Sequence, residues 1–307
     1  MSHPLRRPQR SLLIPALAII LAACSGGGAS APPSAAPTSG PSSGPSEAPS
    51  GSPVGDVVDH ATGATDVILR YDLGPGFVMA GFAATMVPPF TLYGDGTVIY
   101  RDPAQEIPPA QGSVFVMNPM RIAKLTDAQI QELLVFALGE GGLAAARPEY
   151  RNDMVADAGT ALFMVRAGGI EKTVSVYALG IDTQGGVDAP ARAAFLKLAD
   201  RLTTLDKGGA VASMVYVPTT YRAVLLEAPG VVAPDIRTWP WDDIAIADFK
   251  PSPDPNGLQF PYLDMTSAQL DRLDVTAYEG GFQGLPITGP DGKLYTLNVR
   301  PLLPEEA

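Results

Sequence analysis

The chain predicts an α+β fold: an antiparallel sheet built from hairpins, with a few helices packed on it. Three observations lead there. Glycine-centred turns separate short runs of β-forming residues within Phe90–Tyr100, Ala161–Leu179 and Leu285–Val299. Two amphipathic runs, opening at Thr126 and near Asp188, repeat their apolar residues with helical period. Strands and helices do not alternate regularly, which argues against a doubly wound nucleotide-binding sheet.

Residues 1–23 have the layout of an export leader. Arg6, Arg7 and Arg10 precede an apolar stretch, Leu12–Ile14 and Ala16–Ala23, broken by Pro15. That stretch is too short to span a hydrocarbon core of ~30 Å comfortably. It ends at Leu21-Ala22-Ala23-Cys24, which holds the one cysteine of the 307 residues. This tetrapeptide resembles the lipobox of bacterial lipoproteins. The resemblance implies a diacylglyceryl thioether on Cys24, cleavage before it, and a membrane partner reached through lipid. It also implies an exported protein on the extracytoplasmic face. Two acyl chains, at about 0.8 kcal/mol per buried CH2, anchor stably.

Residues 24–55 are rich in Ser, Pro, Gly and Ala and read as a disordered tether. A chain of that length reaches ~30 Å on average. Gly40-Pro41-Ser42-Ser43-Gly44 matches a hydrolase nucleophile pattern only formally, because it lacks strand–turn–helix context.

Next come a first α+β lobe, 56–208, and a second, smaller one, 209–307. In the first, Asp66–Tyr71 reads as a strand and Phe77–Met86 as extended. Phe90–Tyr93, Gly94-Asp95-Gly96 and Thr97–Tyr100 read as a hairpin, and Ile107–Ala110 as a loop. Thr126 and Gln129 have capping-box spacing ahead of Ile130, Leu133, Leu134, Ala137 and Leu138, and Gly139 stops that helix. A Gly168-Gly169 hairpin follows. A helix from Asp188 to Leu205 then carries Pro190 in its first turn and Phe195, Leu198, Leu202 and Leu205 on one stripe.

In the second lobe, Ser213–Val217, Tyr221–Leu226 and Ile244–Ala247 are strand-like, and Leu285–Thr288 with Lys293–Val299 flank a Pro290-Asp291-Gly292 turn. Met265–Leu273 aligns with Leu125–Leu133, and the capping pair recurs as Thr266 and Gln269. A degenerate two-part repeat is the resulting expectation, against the alternative that helix starts simply look alike.

Composition excludes several chemistries. Without the leader the chain would hold 18 Lys+Arg against 32 Asp+Glu, a formal net charge of −14. No nucleic-acid partner is expected, since that affinity comes from neutralised phosphates. His60 is the one histidine beyond the leader, and no second cysteine exists to pair with Cys24. No cofactor motif, multi-histidine metal site or Ser-x-x-Lys pattern occurs.

Carboxylates remain. Asp242 and Asp243 follow Trp239-Pro240-Trp241, and Asp153 and Asp157 lie before the Ala161 strand. Aromatic rings beside paired acids suit a sugar, so Trp239, Trp241, Asp242 and Asp243 are the candidate ligand-binding residues. Asp254-Pro255-Asn256-Gly257 has a fragment of calcium-loop character, but the twelfth position is Met265. No catalytic residue, metal or cofactor is assigned. The expectation is a lipid-anchored, non-catalytic module that binds an envelope protein or glycan. The alternatives are a carboxylate-dependent glycan hydrolase and a solute-binding lipoprotein.

Overall fold

A computed structural model describes residues 57–181, 187–207, 209, 211–230, 233–253 and 259–307. The leader, the tether with Cys24 and Gly40–Gly44, and Asp254–Gly257 lie outside the described residues. Fifteen strands, four α-helices and two 3₁₀ turns appear in this order: β1 (Val67–Gly74), α1 (Ala80–Ala84), β2 (Phe90–Tyr93), β3 (Thr97–Tyr100), β4 (Phe115–Val116), β5 (Arg121–Lys124), α2 (Asp127–Leu138), β6 (Glu149–Tyr150), β7 (Thr160–Ala167), β8 (Ile170–Tyr177), α3 (Ala189–Thr203), β9 (Ser213–Val215), β10 (Thr220–Glu227), β11 (Arg237–Thr238), a turn at Ile246–Asp248, β12 (Lys250–Pro253), β13 (Gln259–Thr266), α4 (Ser267–Leu270), a turn at Asp271–Leu273, β14 (Phe282–Thr288) and β15 (Leu294–Pro301). The class is α+β, as the hairpins predict.

Local chemistry sets the hairpins. Gly96 adopts φ 85° and returns its N–H to the Tyr93 carbonyl at 2.9 Å, closing the β2–β3 turn. Gly168 and Gly169 both take positive φ, the requirement of a two-residue turn between right-twisted strands. Helix α2 begins in a capping box, with the Thr126 side chain on the Gln129 N–H and the Gln129 side chain on the Thr126 N–H. Its Ile130, Leu133, Leu134 and Ala137 are buried.

The first sheet has the order β6-β8-β7-β1-β2-β3-β5-β9. One face carries α2 and α3 over Leu69, Tyr71, Phe90, Leu92, Phe163 and Val165. There Phe163 stacks between Tyr71 and Phe195, at 5.0 and 5.7 Å. The second sheet has the order β11-β14-β15-β10-β13-β12, with β4 also paired to β14. Its core holds Tyr221, Met265, Phe282, Leu297 and Val299.

Segments of each run cross to the other sheet. Strand β4 leaves the first-sheet run to pair with β14, and β9, beyond residue 208, pairs with β5. Leu303, beyond β15, is buried with Tyr93, Ile99 and Met120 on the helix-free face of the first sheet. All described residues belong to one compact unit.

Two local expectations need correction. Phe77–Met86 is not extended: α1 occupies Ala80–Ala84 and packs against β10, β14 and β15. Tertiary packing decides this. A Cβ on Gly81 would come 2.7 Å from the Asn298 side chain, so only glycine lets this helix settle so closely on β15. Ile244–Ala247 is not a strand either; Asp248 accepts the Ala245 N–H at 2.8 Å and winds the segment into a 3₁₀ turn. The aligned Thr126 and Thr266 segments share a capping box, but strand order around them differs. Beside β1 lies β7, the first strand of the following hairpin, whereas beside β10 lies β15, the second.

Asn298, 2% exposed, accepts the Gly284 N–H that a β-bulge in β14 releases from the ladder. Asn298→Ala should cost about 2 kcal/mol, because a buried donor loses its partner. Urea denaturation of the two proteins measures that difference.

Candidate functional site

Trp239 and Trp241 meet edge to face, with ring centroids 5.0 Å apart, and Trp239 also contacts Phe249 at 6.1 Å. Both indole N–H groups are engaged by backbone. Trp239 Nε1 donates to the Ile244 carbonyl and Trp241 Nε1 to the Gln269 carbonyl, each at 2.8 Å. Trp241 is buried in the second core, and Trp239 is partly buried against it. The pair thus joins the segment after β11 to α4. Asp242 and Asp243 are exposed beside them, and Asp243 lies 3.7 Å from Arg272. Asp153 and Asp157 are exposed in the connection from β6 to β7, on the other sheet. His60 places Nδ1 2.7 Å from the Ala61 carbonyl. Among the described residues, no three His, Cys, Asp or Glu side chains are grouped to hold a metal ion.

One cluster resembles a catalytic array and is chemically different. Ser213 Oγ donates to Asp206 at 2.8 Å, Tyr100 donates to the same carboxylate oxygen at 2.9 Å, and Arg121 donates to Ser213 Oγ at 2.9 Å from Nη2. The serine proton faces a carboxylate and its lone pair faces a guanidinium. The oxygen is thereby engaged on both sides, by the carboxylate it donates to and the guanidinium it accepts from. The cluster clamps the segment after α3, and β9, to β3 and β5.

A seam of charge lies where the C-terminal segment meets the first sheet. Arg70 pairs with Glu305, whose other oxygen accepts the Tyr93 hydroxyl at 2.5 Å. Arg300 holds Glu306 with two bonds, at 2.6 and 2.9 Å, and Arg222 holds Asp264 with two, at 2.8 and 3.0 Å. Burial pushes the Glu306 carboxyl up, but Arg300 outweighs it and holds the group below its ordinary value. Asp72, with the N–H of Leu73, is pushed up by burial.

A third feature is apolar. Between Asp72 and Asp95 the chain carries no charged residue over 22 positions. Within that run Phe77 is 87% exposed and Met79 80%, and together with Val78 and Phe82 they line a cleft of about 430 Å³. The Phe77 N–H donates to the Asp157 carbonyl at 3.3 Å. Gly76 lies so close that a Cβ there would stand 2.5 Å from that oxygen. The absence of charge was readable in the sequence; the outward aim of the rings was not.

No protein-family model, no curated protein and no solved structure matches this chain.

Trp241→Phe keeps one aromatic ring but leaves the Gln269 carbonyl without its donor and a void beside it, and should lower stability by about 2 kcal/mol. Asp242→Asn, at an exposed position, should change it by less than about 0.5 kcal/mol in the same denaturation assay. For Glu306 the sign follows from its lowered pKa. Stability contributed by the Arg300 pair is present above the ordinary value of 4.5 and lost as pH falls through the folded value. Glu306→Gln should therefore lower the thermal midpoint at pH 7, and the gap to the parent should narrow in a pH series toward 3.

Proposed function

We propose that this protein is a lipid-anchored component of a bacterial cell envelope, and that its folded unit is a non-catalytic interaction module. One observation carries the reading: Leu21-Ala22-Ala23-Cys24 stands directly behind an arginine-led apolar run. The acidic balance of the chain supports it, since an acidic body gains little from anionic headgroups and needs a covalent hold.

The first described residues are fixed to the first sheet and α2. The Gln131 amide clamps Val58, accepting its N–H at 2.8 Å and donating to its carbonyl at 3.0 Å. The Asp59 carbonyl accepts the Gly168 N–H at 2.7 Å, and His60 bridges to Ala167. These contacts sit at the end of the first sheet where β1 starts. The exposed Phe77 and Met79 follow the other end of β1, eight strand residues away, or about 25 Å.

The carboxylate-dependent hydrolase is not adopted. The four candidate acids divide between the two sheets, and both indole N–H groups of the tryptophan pair are bonded to backbone.

Mass spectrometry of protein from its native host tests the anchor. A diacylglyceryl-modified Cys24 at the mature N-terminus is expected, and Cys24→Ser should move the protein out of the membrane fraction. An unmodified thiol would overturn the reading.

A further inference from the structure

We propose that the apolar end of the first sheet, centred on Phe77 and Met79, is a docking surface for a protein segment of apolar side chains flanked by lysine or arginine. This deepens the interaction-module reading and rests on it, but not on the lipid anchor.

The surface stands apart chemically from the rest of the molecule. Phe77, Val78, Met79 and Phe82 come from one short stretch before and within α1, and line one cleft. On the connection against which that stretch leans, Met154 is also 87% exposed. Isolated apolar side chains on a surface are ordinary. Several large ones from one short stretch, lining one cleft, with another exposed on the abutting connection, mark a contact surface. Phenylalanine and methionine suit the task, since both give large contact area and methionine adapts to the shape it meets.

The segment is also held in place rather than left loose. Gly81 seats α1 on Asn298, the Thr85 hydroxyl accepts a bond from the Gln283 amide at 2.8 Å, and Phe77 is tied to Asp157. The side chains are therefore presented by a fixed backbone, which reduces the ordering cost of binding.

Charge selects the occupant. The stretch itself is neutral, and Asp153 and Asp157 lie exposed on the abutting connection. Nearby Arg151 is bonded to Glu149, and Arg70 to Glu305. An apolar segment with cationic flanks meets matching chemistry there, and one with acidic flanks meets repulsion. An anionic lipid surface does not offer the cationic rim, and a second copy of this chain docked by the same face would bring its own Asp153 and Asp157 to the contact.

The test uses the full chain, produced without export, immobilised through an N-terminal tag and titrated by surface plasmon resonance. The probes are three synthetic 15-residue peptides: a Leu/Phe centre with Lys flanks, the same centre with Glu flanks, and a Ser centre with Lys flanks. We expect the first to bind, and each of the others to bind at least about tenfold more weakly. A Phe77→Ser, Met79→Ser double variant should lose about tenfold for the first peptide. Its thermal midpoint should not change, since both side chains are exposed. The proposal is overturned if no peptide binds up to about 1 mM, if Glu flanks serve as well as Lys flanks, or if the double variant binds like the parent. Phosphatidylcholine vesicles bound by the parent and not by the variant would replace the protein segment with a lipid surface. A dimer in sedimentation velocity that the double substitution abolishes would replace it with a second copy. Failure of any of these leaves Cys24 lipidation unaffected, and the reverse also holds.

Discussion

The junction made by the C-terminal segment is the constraint on which the rest of the structure depends. The face of the first sheet opposite α2 and α3 carries Tyr93 and Ile99, with Met120 beside them, and these are covered by Leu303. Burying one leucine contributes about 2 kcal/mol, yet its position matters more than that figure. Glu305 follows two residues later and takes both Arg70 and the Tyr93 hydroxyl, while Glu306 turns back to Arg300. One short segment thereby neutralises arginines from both sheets and closes the apolar face between them. Removing one partner of such a pair leaves a charge in a partly desolvated place, which costs more than the pair contributes when whole.

Two further crossings work with that junction. The excursion after β3 delivers β4 to the edge of β14, and the Gln111 side chain there behaves as a length of strand, exchanging both of its amide bonds with the Thr276 backbone. The loop after β1 delivers α1 to β10, β14 and β15 of the second sheet. The two sheets have separate cores but are stitched by segments from each, so a boundary drawn by sequence position alone does not separate two independent bodies.

Legibility in the sequence followed the range of the interactions. The three glycine-turn hairpins and the capped helix α2 were readable because a turn or a cap is settled within a few neighbouring residues. Strands β4 and β11, two residues each, carry no periodicity to read. Strand β12 was concealed by Pro251 and Pro253, residues that a sheet tolerates at an edge, which is where β12 lies. Helix α1 was misread as extended because its reason for existing is Asn298, more than two hundred positions away. The tryptophan pair was legible as a cluster, but its inward aim depends on carbonyls at Ile244 and Gln269 that local pattern does not reveal. Charge was legible only as an inventory. Which carboxylates meet arginines, and which line an apolar rim, is decided by topology.

The position of Leu303 and Glu305 along the chain has a consequence for biogenesis. Ribosomes release these residues after β15, so a nascent chain carries the Tyr93–Met120 surface bare until they emerge. A product terminated ahead of Leu303 would keep that greasy face uncovered for good. Proteases that patrol for such faces would then distinguish a polypeptide lacking Leu303 from one that carries it.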